Sequence, residues 1–192
     1  THVNGLPVSN TADLVQGLRN QAGQQVLLNI SRGNDNHQTV VKPVTANTDF
    51  LLRYNDWVQH NSARVASADE NIGYLHLYAM GGRDVANFAR EFYAQYKKSG
   101  LIIDVRRNRG GNVDAWILEK LLKRAWMFWQ TPNGEQATNM QQTFRGHLVV
   151  LADEFTYSDG ETFTAGIKAL DLGTVIGKQT AGAGVWLSGR NR

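Results

Sequence analysis

From residue 72 onward the chain alternates short apolar runs with longer amphipathic ones, and that rhythm admits few architectures. Residues 72–78 read as a strand. Val85, Phe88, Ala89, Phe92 and Tyr96 then fall at i, i+3, i+4, i+7 and i+11, one face of a helix. Residues 101–105 form a short apolar run of the kind carried by a strand buried on both faces. Val113, Ile117, Leu118, Leu121 and Leu122 predict a second helix. An aromatic-rich stretch ending at Trp129 and a polar loop around Pro132-Asn133-Gly134 follow. Next come a strand at 147–152, a helix at 159–170 with Phe163, Ile167 and Leu170 on one face, and a strand at 174–176. Strands alternating with helices predict an α/β layer with crossover connections.

The first 71 residues lack this rhythm. Asn4-Gly5 has turn chemistry, and Thr11 can cap a short helix carrying Leu14, Val15 and Leu18. Two β-rich runs, 26–30 and 39–44, flank the polar turn Gly33-Asn34-Asp35-Asn36. So few elements cannot bury much core, and residues 1–45 read as half a domain. Residues 46–71 are polar, with Leu51, Leu52 and Trp57 as isolated anchors, and read as a connection with some local structure. Residues 72–192 then form the main α/β core.

Hydrophobic residues make up 42% and charged residues 19%, as in a packed globular protein. The net charge of +3 is spread over scattered basic residues, so neither a nucleic-acid nor a membrane partner is expected. No apolar run approaches the ~20 residues that span a bilayer. The chain has no cysteine, which rules out disulfides and thiol catalysis and fits a reducing, cytoplasmic setting. Without cysteines or a His-x-x-x-His pair, no metal is expected, and nothing asks for another cofactor.

Two turns in the α/β part carry residues that chemistry can use. In the first, residues 153–161, Ser158 sits between a strand and a helix. The first helical N–H groups there have no intrahelical partner and can stabilise an oxyanion. The same Ser158-Asp159-Gly160-Glu161 also fits a capping box, the commoner use of such a serine. In the second turn, residues 104–112, Gly110-Gly111 allow a left-handed backbone and close approach of a ligand, or simply relieve a tight turn. No Gly-x-Gly-x-x-Gly or Gly-Lys-Ser/Thr pattern makes it a phosphate loop. A third, glycine-rich segment, 177–186, runs from Gly177 through Gly184 and Val185 to Trp186. It can present an edge to an extended peptide or form a surface hairpin.

In this order and spacing, the three segments resemble the tricorn-type and tail-specific serine peptidases. The Asp-x-Arg-x-Asn-x-Gly-Gly turn from Asp104 and the Ser-Asp-Gly-Glu elbow, followed by Phe163 and Lys168, look like the tricorn core branch. The Val-Asn-Gly-Leu-Pro-Val and Thr-Ala-Asp-Leu stretches in residues 1–44 look like the C-terminal half of that family's PDZ domain. The resemblance implies a crotonase-like β/α spiral catalytic domain preceded by a partial PDZ-like β/α segment. It makes Ser158 the nucleophile of an acyl-enzyme pathway. The amides of Asp159 and of Gly111 (or Gly110) would form the oxyanion hole. Gly110, Gly111, Gly184 and Val185 would line the cleft and pair with the substrate backbone. The substrate would be a peptide or unfolded protein, and the full-length protein a homo-oligomer.

The departures matter as much. The tail-specific branch holds its lysine base in Thr-x-Gly-Lys-Gly, whereas this chain reads Thr180-Ala181-Gly182-Ala183-Gly184. Ala183 stands where that lysine would, so a Ser–Lys mechanism is not expected. The tricorn branch takes a histidine base from before the PDZ domain and a supporting glutamate from beyond the glycine-rich segment. Both would lie outside this stretch, and the 192-residue chain alone is expected to show little turnover. His76 and His147 lie in strand patterns and read as structural; His2, His37 and His60 read as solvated. The aromatic segment 125–129 reads as core or subunit interface. A reading of another class is a non-catalytic peptide-binding module in which Ser158 is only a cap. A third, a ligand-binding α/β domain of crotonase-like architecture, would need an acyl thioester that no feature calls for.

Overall fold

A computed structural model describes residues 2–185. Trp186, the apolar end of the glycine-rich segment, and everything after it lie outside the described residues. The backbone divides into two units, Thr1–Trp57 and Val58–Arg192.

The first unit is an antiparallel sheet with one helix. Strands β1 (His2–Val3), β2 (Leu6–Pro7), β3 (Val26–Arg32) and β4 (Asp35–Val41) lie in the order β2-β1-β3-β4. A two-residue turn, Gly33-Asn34, closes β3 onto β4 with Arg32 facing Asp35. Helix α1 (Thr11–Leu18) begins one residue earlier than Thr11 suggested as its cap. Asn10 is the N-cap, and its side-chain oxygen accepts the Asp13 N–H at 3.0 Å. Val3 and Val26 are the buried hydrophobic side chains here, the small core that so few elements can enclose.

In residues 46–71, expected to have some local structure, that structure is extensive. Ala46–Ala68 is a single helix, α2, running across the division between the two units. Phe50, Tyr54, Trp57, Val58 and Val65 do recur near helical spacing, but α2 buries no residue. A helix without a buried apolar stripe gives only a weak periodic signal.

The second unit follows the alternation in the sequence. It comprises β5 (Ile72–His76), α3 (Gly82–Gln95), β6 (Gly100–Asp104), α4 (Asp114–Leu122), β7 (Met127–Trp129), β8 (Ala137–Asn139), β9 (His147–Ala152), α5 (Asp159–Ala169) and β10 (Thr174–Gly177). β10, β9, β6 and β5 form a parallel sheet in that order, a mixed α/β architecture. Leu75, Leu101, Ile103 and Val150 of the strands pack with Phe88 and Phe92 of α3, Ile117 and Leu121 of α4, and Phe163 and Ile167 of α5. Such fully buried side chains are worth about 1.5–3 kcal/mol each before entropy is counted. Among the described residues, no helix is long and apolar enough to cross a membrane.

The aromatic segment is not core. Trp126 is 68% exposed, and Phe128 and Trp129 project from the two-stranded β7–β8 ribbon. Only Met127 alternates inward in β7, so three residues of strand cannot cover their own outer face.

Parallel strands send every following segment out of the same edge of the sheet, where ligands of α/β proteins bind. Residues 105–113 follow β6 and residues 153–158 follow its neighbour β9. The fold therefore brings the two sequence motifs side by side.

Candidate active site

The two turns are stitched together before any side chain of chemical interest is considered. β6 and β9 pair with Asp104 opposite Leu151. Beyond the strands, the buried Thr156 hydroxyl donates to Val105 O at 2.9 Å, and Arg107 N–H donates to Asp153 Oδ1 at 2.9 Å. Tyr157 N–H donates to Asn108 O at 3.0 Å.

Ser158 stands at the end of this seam with φ 53° and ψ −117°. That is a left-handed φ for a residue with a Cβ, a conformation costing about 1–3 kcal/mol. A capping serine uses extended backbone instead and turns its oxygen onto the helix. The Ser158 hydroxyl makes no cap hydrogen bond. Glu161 supplies the link: its Oε2 accepts Ser158 N–H at 2.8 Å, and its own N–H donates to Ser158 O at 2.8 Å.

The glycine turn presses directly on this serine. A Cβ on Gly110 would lie 2.6 Å from Ser158 Cβ and 3.2 Å from its Oγ, and Gly110 has φ 75°. Gly111, at φ 155°, runs against Met80, whose carbonyl oxygen a Cβ would meet at 1.9 Å. No other residue type fits either position without moving the backbone. Asn108, fully buried, decides which amide is available. Its Nδ2 donates to Leu77 O at 2.7 Å and its Oδ1 accepts Gly110 N–H at 2.8 Å. Among the described residues neither Gly111 N–H nor Asp159 N–H has a hydrogen-bond partner.

Glu161 also holds the glycine-rich segment. Oε1 accepts the Thr180 hydroxyl at 2.8 Å and Gly182 N–H at 2.6 Å; Oε2 accepts Ala183 N–H at 2.8 Å. Burial alone would raise this carboxyl, but the hydrogen bonds from Thr180, Gly182, Ala183 and Ser158 outweigh it and hold Glu161 below its ordinary range. Gly184 and Val185 are exposed just past this clamp, and Val185 N–H turns back to Ala183 O at 2.9 Å.

Beneath the glycine turn lies a buried polar support. The Tyr74 hydroxyl donates to Asp104 Oδ2 at 2.8 Å, and Arg106 pairs with the same carboxylate at 2.6 Å. Burial, then the Asp104 charge, pushes the Tyr74 phenol up. His76 Nε2 lies 2.8 Å from Arg106 O, and burial lowers its imidazole below the ordinary histidine range. His147, also in a strand pattern, is instead exposed at the start of β9. A cavity of about 970 Å³ opens at that opposite end of the strands, lined in part by Lys97, Ser99 and His147. It has no share in the Ser158 region.

The sequence pattern of Peptidase family S41 matches residues 71–190. This chain belongs to peptidase family S41. Tricorn protease homolog 1 of Streptomyces coelicolor is 35% identical over 97% of this S41 chain, which spans 17% of that protein. The tricorn protease of Thermoplasma volcanium is 30% identical over 99% of the chain, and 18% of its own length is covered. The crystal structure of the tricorn protease superposes on the whole chain with a TM-score of 0.83 at 29% identity, using 19% of that structure's chain. The S41 chain thus spans less than a fifth of each of these three proteins.

Sequence reasoning did not single out Asn108 or the full role of Glu161. Asn108 stands in the Asp-x-Arg-x-Asn-x-Gly-Gly pattern, which assigns it no role, since the role of a buried amide is defined by its partners. Glu161 did carry a signal, the Ser-x-x-Glu spacing, but that accounts for one of the four hydrogen bonds its carboxylate accepts.

Proposed function

We propose that this S41 chain carries the nucleophile and the oxyanion hole of a tricorn-type serine endopeptidase acting on peptides or unfolded protein. One observation carries the reading. Ser158 is held at a strained φ with its hydroxyl beside the Gly110 turn, and the next amide after each of these two residues, Asp159 N–H and Gly111 N–H, has no hydrogen-bond partner among the described residues.

In this reading Ser158 Oγ attacks the scissile carbonyl carbon while its proton passes to a base. The carbonyl oxygen becomes an alkoxide that accepts from Asp159 N–H and Gly111 N–H. Preorganised donors of this kind are worth about 3–4 kcal/mol each in the transition state. Collapse expels the amine, which takes the proton from the base, and leaves an acyl ester on Ser158 that water hydrolyses. Gly110, Gly184 and Val185 are assigned to the substrate backbone.

No side chain among the described residues hydrogen-bonds the Ser158 hydroxyl. The base is assigned to a histidine elsewhere in the full-length protein, as the tricorn resemblance implies. The second unit is read as part of a crotonase-like β/α spiral and residues 1–45 as half of a PDZ-like domain. Residues 46–71 join them, and 72–192 form the catalytic core. The full-length protein is read as a cytoplasmic homo-oligomer.

A serine-reactive phosphonate tests the assignment. Treating the full-length protein should place one phosphonyl group on Ser158 in step with loss of peptide hydrolysis, while the isolated 192-residue chain reacts far more slowly. Inactivation with the label on another residue would overturn the reading.

A further inference from the structure

We infer that the Asp159 carboxylate is a positioning group that sets the spacing between the two oxyanion-hole amides. The inference rests on the acyl-transfer reading above.

Asp159 meets the site twice. Its own N–H is one of the two assigned donors, and its side chain, only 7% exposed, reaches across to the turn that carries the other. Oδ2 accepts Val113 N–H at 2.8 Å and Asp114 N–H at 3.1 Å, just beyond Gly111. Oδ1 accepts the Thr162 hydroxyl at 3.1 Å, which fixes the rotamer. The other side of the same turn is tied by Asn108, whose Oδ1 holds Gly110 N–H and whose carbonyl oxygen holds Tyr157 N–H. Gly111 therefore lies inside a closed ring of bonds that runs from Asp159 through Val113, Gly110, Asn108 and Tyr157 back to Ser158. Remove the carboxylate link and the ring is open on the side next to Gly111.

The chemistry makes that link matter. Both donors must stand about 2.7–3.1 Å from one oxygen in the transition state. Misplacement by about 1 Å can cost 10²-fold in rate. The fold keeps this carboxylate against an opposing force: burial, and then the Asp114 charge, raises its carboxyl, and the two amides only partly offset that. Val113, the N-cap residue of α4, has no side chain able to cap, so the same carboxylate also stabilises that helix start. A purely structural role would end there.

Steady-state kinetics of Asp159→Ala, Asp159→Asn and Asp159→Glu in the full-length protein separate the two roles. Asp159→Ala should lower kcat about 10- to 100-fold. KM should stay within about threefold, because Gly184 and Val185 are untouched and Gly110 N–H keeps its own tie to Asn108. Asp159→Asn keeps the shape and one acceptor and should recover kcat to within about fivefold. Asp159→Glu keeps the charge but moves the acceptor by a methylene, and should remain slow. An unchanged kcat in folded Asp159→Ala overturns the inference. So does rescue by glutamate with failure of asparagine, which still decides the matter if the alanine variant does not fold. Full activity in Ser158→Ala overturns the acyl-transfer reading itself, and this inference with it.

Discussion

Ser158→Ala in the full-length protein is expected to lower kcat for peptide hydrolysis by about 10⁴-fold or more while leaving the protein folded, because a serine nucleophile and its base act as one unit. The structure separates this outcome from the effect of losing a cap. A capping serine replaced by alanine costs about 1 kcal/mol and leaves chemistry alone. Here the Ser158 hydroxyl makes no cap hydrogen bond, and the helix start is held by the Glu161 carboxylate through the Ser158 backbone. Alanine donates that same backbone N–H to Glu161 and meets the same left-handed φ. The melting temperature should therefore move little, and hydrolysis of a fluorogenic peptide should fall to background. A stability loss of about 1 kcal/mol with hydrolysis intact would favour the cap.

Glu161→Ala should be nearly as damaging, by a different route. The substitution strips the acceptor from Ser158 N–H, Gly182 N–H, Ala183 N–H and the Thr180 hydroxyl together. A buried donor left unpaired costs about 1–3 kcal/mol, and the exposed Gly182 can recover water, so a net loss of about 2–4 kcal/mol is expected in urea denaturation. Activity should fall about 10²-fold or more even under conditions where the variant is folded, because elbow and substrate edge lose their common anchor. The pH dependence follows from the depressed carboxyl. Its stabilisation is fully present above the ordinary glutamate range and is lost as pH falls through the lower folded value. The acid limb of stability should therefore flatten in Glu161→Ala. A variant with unchanged midpoint at pH 7 and an unchanged acid limb would mean that the four bonds contribute nothing.

The parallel core was legible because its strands and helices announce themselves by burial. Phe88 and Phe92 recur on one face of α3, and Leu101, Ile103 and Val105 all pack inside. Where burial is absent the sequence is mute. α2 runs 23 residues with none buried, and its polar composition reads as a linker. Trp126, Phe128 and Trp129 are ambiguous in the opposite sense: their hydrophobicity suggests core or subunit interface, and on this short ribbon they stay largely exposed, with Arg145 lying over the Phe128 ring.

At the site, Ser158 and Gly110-Gly111 could be noticed as candidates, and only the resemblance of three segments in register proposed roles for them. The choice between the two glycine amides could not be read. It depends on Asn108, whose side chain reaches two residues along the chain and consumes one donor. The Asp159 carboxylate was hidden for the same reason, since its partners lie 46 and 45 residues away. Motifs give the atoms that react. The groups that aim them are fixed by tertiary contacts without local periodicity.

The most direct measurement is the structure of the full-length protein with a phosphonate bound to Ser158. The account requires the phosphonyl oxygen to sit about 3 Å from both Asp159 N and Gly111 N, with Gly110 N–H still on Asn108. An oxygen turned to solvent, or held by any other pair of donors, would contradict it.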